Sequence, residues 1–403
     1  MPQHSKTAFL VFHGESAGGP LSGLVDGAKR ANALDLLERA RGSGAFGRRI
    51  LFTNSSPLAA EAAGLADDVF ATPDRGFHLG GTLRAAAGTY DLARIACVGS
   101  GAAHLLDASA LAALAEARGP REVVANNLYS TDFCAFDCGG AFDAGDLPAT
   151  DNGLSRMLVE RAGFAGRELP RSWATLCDID APLDLAALKL AETASGRLRA
   201  YVDAHAPALP SLEAAARRFV DRAAEVLVAG RVSADTHLYL DRETACRVRL
   251  LAEERGMVAA AGGSKELPPG RCDPAAGGPG EARSILGMWI AHAGPAAAFA
   301  SLEGRTHAAF VDTRLLLAHE RLEVPMEERF AADLLMADRV ATPYLRELCA
   351  AAASAPYPVV LASHALLNGG LMMVIDAAWR RFTDDASIPR GLRARDSLSA
   401  AGA

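Results

Sequence analysis

Residues 7–40, TAFLVFHGESAGGPLSGLVDGAKRANALDLLERA, constrain the fold more than any other stretch of the chain. The apolar run at 8–12 has the length of a buried strand, and a loop holding Gly14, Gly18, Gly19, Gly23 and Gly27 follows it. Leu34, Leu36, Leu37 and Ala40 then carry a helical segment. Strand, glycine loop and helix together open a parallel α/β unit. Glycines let a backbone approach a ligand closely, and N–H groups at a loop and a helix start favour an anion, so a nucleotide phosphate suits this stretch. Neither G-x-x-x-x-G-K-[ST] nor G-x-G-x-x-G is present, which leaves an ordinary flexible connection as the alternative.

The same alternation continues downstream. Apolar runs predict strands at 49–54, 68–71 and 93–98, with helices at 57–65, near 83–87 and at 109–117. Residues 123–136 read as one or two strands broken by Asn126 and Asn127, residues 150–153 as a helix start, and 174–177 as a strand. Asp180 is placed as the N-cap of a leucine-rich helix, with Pro182 and Asp184 in its first turn. The expected fold is a doubly wound, mostly parallel sheet, with ligands at the carboxyl ends of its strands. The loops starting at Gly14 and Asn54, and the one that holds Ser100, fall there.

With 403 residues, half of them apolar, the chain can form more than one core. The expected division is a first domain at 1–195, a helical connector at 196–232, a second α/β domain of unknown type at 233–385 and a disordered tail at 386–403. A net charge of −7 and the lack of a Lys/Arg run argue against a nucleic-acid partner. The opening residues carry too short an apolar run for a signal peptide, and no apolar stretch reaches a bilayer span, which points to a cytoplasmic protein without a membrane partner. The seven cysteines are scattered with no C-x-x-C pair, so they are read as reduced and mostly buried.

Two motifs carry a resemblance. The loop from Gly14 to Lys29, followed by ILFTN at 50–54, and the DIDAP segment at 178–182 are similar to motifs of the MobA-like nucleotidyltransferases, which have a GT-A-type Rossmann-like fold. The likeness spans about 7–195. It implies transfer of a nucleotidyl group from a nucleoside triphosphate to a small phosphorylated or carboxylated acceptor, with Mg²⁺ bridging the two. In that frame Gly14, Gly18, Gly19 and Ser100 lie at the nucleotide, and Lys29 neutralises its phosphates. Asp178 and Asp180 are then the catalytic carboxylates and the Mg²⁺ ligands. Two departures stand against this. The loop has Glu15, Ser16 and Ser22 where the family usually carries a basic residue, and Gly99, Ser100 and Gly101 stand where an A-D-x-P-L pattern would place a metal-binding aspartate. A nucleotide- or metabolite-binding protein whose chemistry has decayed is therefore the alternative.

The second half resembles no family. Its segments read as helix at 196–232, two strands or a strand and a helix at 233–257, a Gly/Pro-rich loop at 259–280 and a helix at 285–292. A strand at 308–318, a helix at 327–353 interrupted at Pro343 and a strand at 359–364 complete it. Its polar set is Asp235, His237, Arg247, Arg249, Asp312, Arg314, His319, His364 and Asn368. These form either Arg–Asp pairs holding sheet edges or an anion site, and catalysis around Asp312 and His364 is a third reading.

Overall fold

The computed structural model describes residues 7–253 and 284–383, apart from 17, 75, 117, 118, 144 and 146. β1 (Thr7–His13), β2 (Arg48–Thr53), β3 (Asp68–Ala71), β4 (Arg94–Gly99), β5 (Glu122–Ala125), β6 (Phe133–Asp137) and β7 (Ala165–Glu168) form one sheet. Their order is β3-β2-β1-β4-β6-β5-β7, parallel throughout except for β6, which runs antiparallel to β4 and β5. This is the expected doubly wound sheet. Ala8, Phe9, Leu10 and Val11 are all fully buried because helices cover both faces of β1. Phe9 and Val11 pack with Leu36 and Leu37 of the helix Pro20–Ser43, and Ala8 and Leu10 with Leu79 and Leu83 of the helix Leu79–Tyr90. From β1 the chain winds to β2 on one side and to β4 on the other, so a crevice opens between the carboxyl ends of β1 and β4.

β8 (Glu225–Gly230), β9 (Arg247–Ala252), β10 (Ala308–Asp312) and β11 (Val359–Ala362) form a second, fully parallel sheet in the order β11-β10-β8-β9. One apolar core runs from Leu21, Val25 and Ala28 of the first helix, through the helix Pro182–Ala191, to β8, β10 and β11. The middle helix can serve both sides because Leu183, Leu185, Ala187 and Leu188 are buried around its whole circumference.

Several expectations need correction. Residues 225–230 are not part of a helical connector but the strand β8; Val226 falls in step with the helical spacing of the apolar residues before it. The run at 174–177 is not a strand. It is largely a helical turn, Trp173–Leu176, held by Thr175 Oγ1 accepting from Ser172 N at 3.0 Å and donating to Pro170 O at 2.9 Å. The strand is β7, a short edge segment without an apolar run. The predicted strand at 308–318 stops at Asp312, whose side chain accepts from Arg314 N and Leu315 N and so starts the helix Thr313–His319. Asp180 does not cap its helix either. The N-cap is Ala181, and Asp184 reaches back to accept from Asp180 N at 2.9 Å and Ala181 N at 2.7 Å. The expected loop at 259–280 and tail at 386–403 lie outside the described residues. The described cysteines are free thiols, and no described helix is long and apolar enough to cross a membrane.

The carboxylates and arginines of the second half's polar set resolve into ion pairs. Asp312 receives Arg231 Nε at 2.6 Å and Nη2 at 3.0 Å, Arg314 meets Asp333 at 2.6 Å, Arg247 and Arg249 share Glu225, and Asp235 takes Arg171 at 2.7 Å. Burial pushes the Asp312 pKa up, but the charge and hydrogen bonds of Arg231 outweigh it and hold the carboxyl below its ordinary value. Asp312→Ala should strand Arg231 without its carboxylate and remove a helix cap. The expected loss is about 3–5 kcal/mol of stability, read from urea unfolding, whereas a loss below about 1 kcal/mol would show that the pair does not hold the second sheet.

Candidate functional site

The exit from β4 is the centre of the site. Residues 100–102 leave the sheet, and donors outside the strand ladder take their carbonyls. Asn32, fully buried on the first helix, donates to Ser100 O at 2.7 Å and Ala102 O at 3.0 Å. The Gly101 carbonyl accepts from Ile179 N at 3.2 Å and lies 3.1 Å from His104 Nδ1. The bond to Ile179 docks the DIDAP segment on the β4 exit, which in turn rests on the first helix.

This docking brings three of the expected residues together. Lys29 Nζ is 3.7 Å from Asp180 Oδ1. An ideal Cβ on Gly101 would lie 2.4 Å from Asp178 Oδ1 and 3.2 Å from Lys29 Cε, so the Asp178 carboxylate fills the space that a side chain at 101 would take. Burial opposes the charge on Lys29, yet Asp180, Asp178, Asp26 and Asp184 raise its pKa and keep it an ammonium. Burial, then Asp180 and Asp132, push the Asp178 carboxyl well above its ordinary value. Asp184 is raised to about 7 by burial and by Asp180, but its oxygens serve the backbone cap and Ser363.

Two further carboxylates border the site, neither of them expected from the sequence. Asp132 and Asp151 line a cavity of about 220 Å³ alongside β4, whose other walls include Phe12, Phe77, Phe133 and Leu154. No Lys, Arg or His is among the described residues lining it. Phe12 stacks on Phe52 at 4.9 Å and leans on Phe77 at 6.0 Å, which builds the apolar wall. Burial, reinforced by Asp151 and Asp180, raises Asp132 to about 7, although Asn126 Nδ2 donates to it at 2.7 Å. Burial also raises Asp151.

The glycine loop is less open than the sequence suggests. Glu327 of the second half accepts from Leu21 N at 3.1 Å and Ser22 N at 2.6 Å, beside Gly19. Gly18 donates its N–H to Ser16 O, and a Cβ on Gly14 would meet nothing within 4 Å. The Ser100 hydroxyl is 3.0 Å from His13 Nδ1. His13, at the end of β1, is buried and held neutral with its pKa lowered to about 4, chiefly by burial. Its Nε2 has no hydrogen-bond partner and stands 4.0 Å from Glu15. The polar break at Asn126 and Asn127 marks the end of β5 beside the site but does not single out Asp132. No sequence signal could have found Glu327, 306 residues from Leu21.

Asp132 provides a check on this electrostatic arrangement. Its folded pKa of about 7 lies above the ordinary 3.8, so the folded state binds the extra proton, and the group's stabilisation is lost as pH rises towards 7. Asp132→Asn removes that loss. Its urea midpoint should gain on the wild type progressively from pH 5 to pH 8, and a difference that is flat or shrinks with pH would contradict the placement.

No family model and no curated protein matches the chain. Among solved structures it is similar to a cytidylyltransferase from Leptospira borgpetersenii serovar Hardjo-bovis (strain JB197), with 18% identity over 49% of this chain and 91% of that one. The TM-score of 0.35 is too low to transfer any residue or activity.

Proposed function

We propose that the first half of the chain binds a nucleoside triphosphate in the crevice between β1 and β4 and transfers its nucleotidyl group to a small acceptor. The observation that carries this reading is the convergence of Lys29, Asp178 and Asp180 at the β4 exit, where the first sheet reverses its strand order between β1 and β4. Lys29 would neutralise phosphate charge, and Gly14, Gly18, Gly19 and Ser100 would lie at the nucleotide. The acceptor oxygen would bond to the α-phosphorus as its bond to the β-phosphate oxygen breaks and pyrophosphate leaves.

Asp178 and Asp180 fit Mg²⁺ as hard oxygen donors, and their mutual repulsion is the strain a bound cation relieves. Among the described residues no group of three or more His, Cys, Asp or Glu is placed to hold a metal, so the ion would need phosphate oxygens to complete its shell. Bound there, it would supply charge neutralisation at the phosphates. The cavity beside Asp132 and Asp151 suits the acceptor's uncharged body, because its described walls offer no cation for a phosphate or carboxylate. The decayed, binding-only alternative draws support from Glu327, which already holds N–H groups that a phosphate would use.

Calorimetric titration of common nucleoside triphosphates, with and without Mg²⁺, tests the reading. Lys29→Ala should weaken binding by roughly 10- to 150-fold, the equivalent of losing a charged hydrogen bond of about 1.5–3 kcal/mol. Asp178→Asn and Asp180→Asn should abolish the Mg²⁺ dependence while the proteins still unfold cooperatively. A wild type that binds no nucleoside triphosphate under any of these conditions rules the proposal out.

A further inference from the structure

The first helix starts against a carboxylate from the far half of the chain. Glu327, in the first turn of the helix Met326–Asp333, accepts from Leu21 N through Oε2, and from Ser22 N and Ser22 Oγ through Oε1. An ideal Cβ on Gly19 would meet Glu327 Cδ at 2.7 Å, so the approach needs glycine at that position. The helix behind these donors runs 24 residues, from Pro20 to Ser43, and its N-terminal turn favours an anion.

We propose that Glu327 is a built-in competitor for nucleotide phosphates at the start of the first helix, holding the crevice in a low-affinity state until a polyphosphate displaces it. This rests on the nucleotide reading above and adds its regulation. Three features separate a competitor from a simple structural staple. The donors it uses are two backbone N–H groups and a hydroxyl, the set that a phosphate oxygen takes at a helix start, and two anions cannot share them. No Lys or Arg is paired with Glu327 among the described residues, so nothing but the helix start neutralises it.

The third feature is mechanical. The helix that carries Glu327 is fixed by other contacts: Asp333 is buried against Arg314, and Glu328 accepts from Thr342 N at 2.7 Å. Glu327 itself is only half-buried. A rotation of its side chain alone would free Leu21 N and Ser22 N without opening the core between the two sheets. Displacement therefore needs one rotamer change and no domain movement, which is what a reversible competitor requires.

The test uses the full-length protein and two substitutions, with inorganic tripolyphosphate and then nucleoside triphosphate as calorimetric probes. Glu327→Ala should bind tripolyphosphate at least about tenfold more tightly than the wild type, because the competent fraction no longer competes with an internal anion. Glu327→Gln, which keeps the shape and an acceptor oxygen but not the charge, should fall between the two. Equal or weaker binding by a Glu327→Ala protein that melts cooperatively overturns the proposal, since a staple gives that result. If Glu327→Ala does not fold, Glu327→Gln decides by the same sign. Tighter tripolyphosphate binding with no binding of any nucleoside triphosphate would leave the competitor standing and remove the nucleotide reading.

Discussion

The structure depends on how the carbonyls of the β4 exit are satisfied. Buried carbonyls need donors, and once β4 leaves the sheet its own ladder offers none. Asn32 supplies two hydrogen bonds from the first helix and Ile179 N supplies one from the DIDAP segment. Those bonds fix where the first helix sits over the sheet, and with it Lys29, one turn before Asn32. They also bring Asp178 and Asp180 to the same edge from a distant part of the chain. The charged site is thus a by-product of closing a loop.

The electrostatics follow from that placement. Asp178, Asp180, Asp132 and Asp151 act on one another near the carboxyl edge, and Lys29 is the cation that opposes them. Burial raises the pKa of Asp132 and Asp178 first, and the neighbouring carboxylates add to it. The second half manages its buried charges differently. Asp312 and Asp333 each have an arginine directly against them; Arg231 holds Asp312 below its ordinary value, whereas burial outweighs Arg314 at Asp333 and leaves its carboxyl raised. Paired acids keep a fold together, whereas under-compensated acids at a sheet edge are where a bound cation gains most.

The alternation of apolar runs made the first sheet legible, because β1, β2 and β4, largely buried, read as continuous runs, and the edge strand β3, though mostly exposed, keeps the apolar run Val69–Ala71; all four are where the sequence places them. β7 was not legible, since an exposed edge strand of sequence AGRE has no run to read. β8 was misread because Val226 fell into a helical spacing by chance, and the apolar residues after Asp312 concealed that the aspartate stops a strand and starts a helix. Lys29, Asp178 and Asp180 could be named because they lie in the two motifs that carry the resemblance, and the structure brings the three together. Asp132, Asp151, His13 and Glu327 depend on which loops meet at the sheet edge, and a single sequence does not encode that in any local pattern.

The missing aspartate after β4 shows the limit of motif reasoning most clearly. A pattern that demands a carboxylate at a sequence position is a proxy for a demand at a point in space. Here Gly101 has no side chain, and Asp178 Oδ1 lies where one would project, so a carboxylate still stands at the β4 exit although it comes from 77 positions later in the sequence, counted from 101 to 178. The same substitution of place for position operates at the glycine loop. The basic residue expected there is absent, and in its stead a glutamate from the second half meets the helix start. One departure preserves the charge at the site and the other reverses it. The reversal ties the start of the first helix to the helix Met326–Asp333 of the second half.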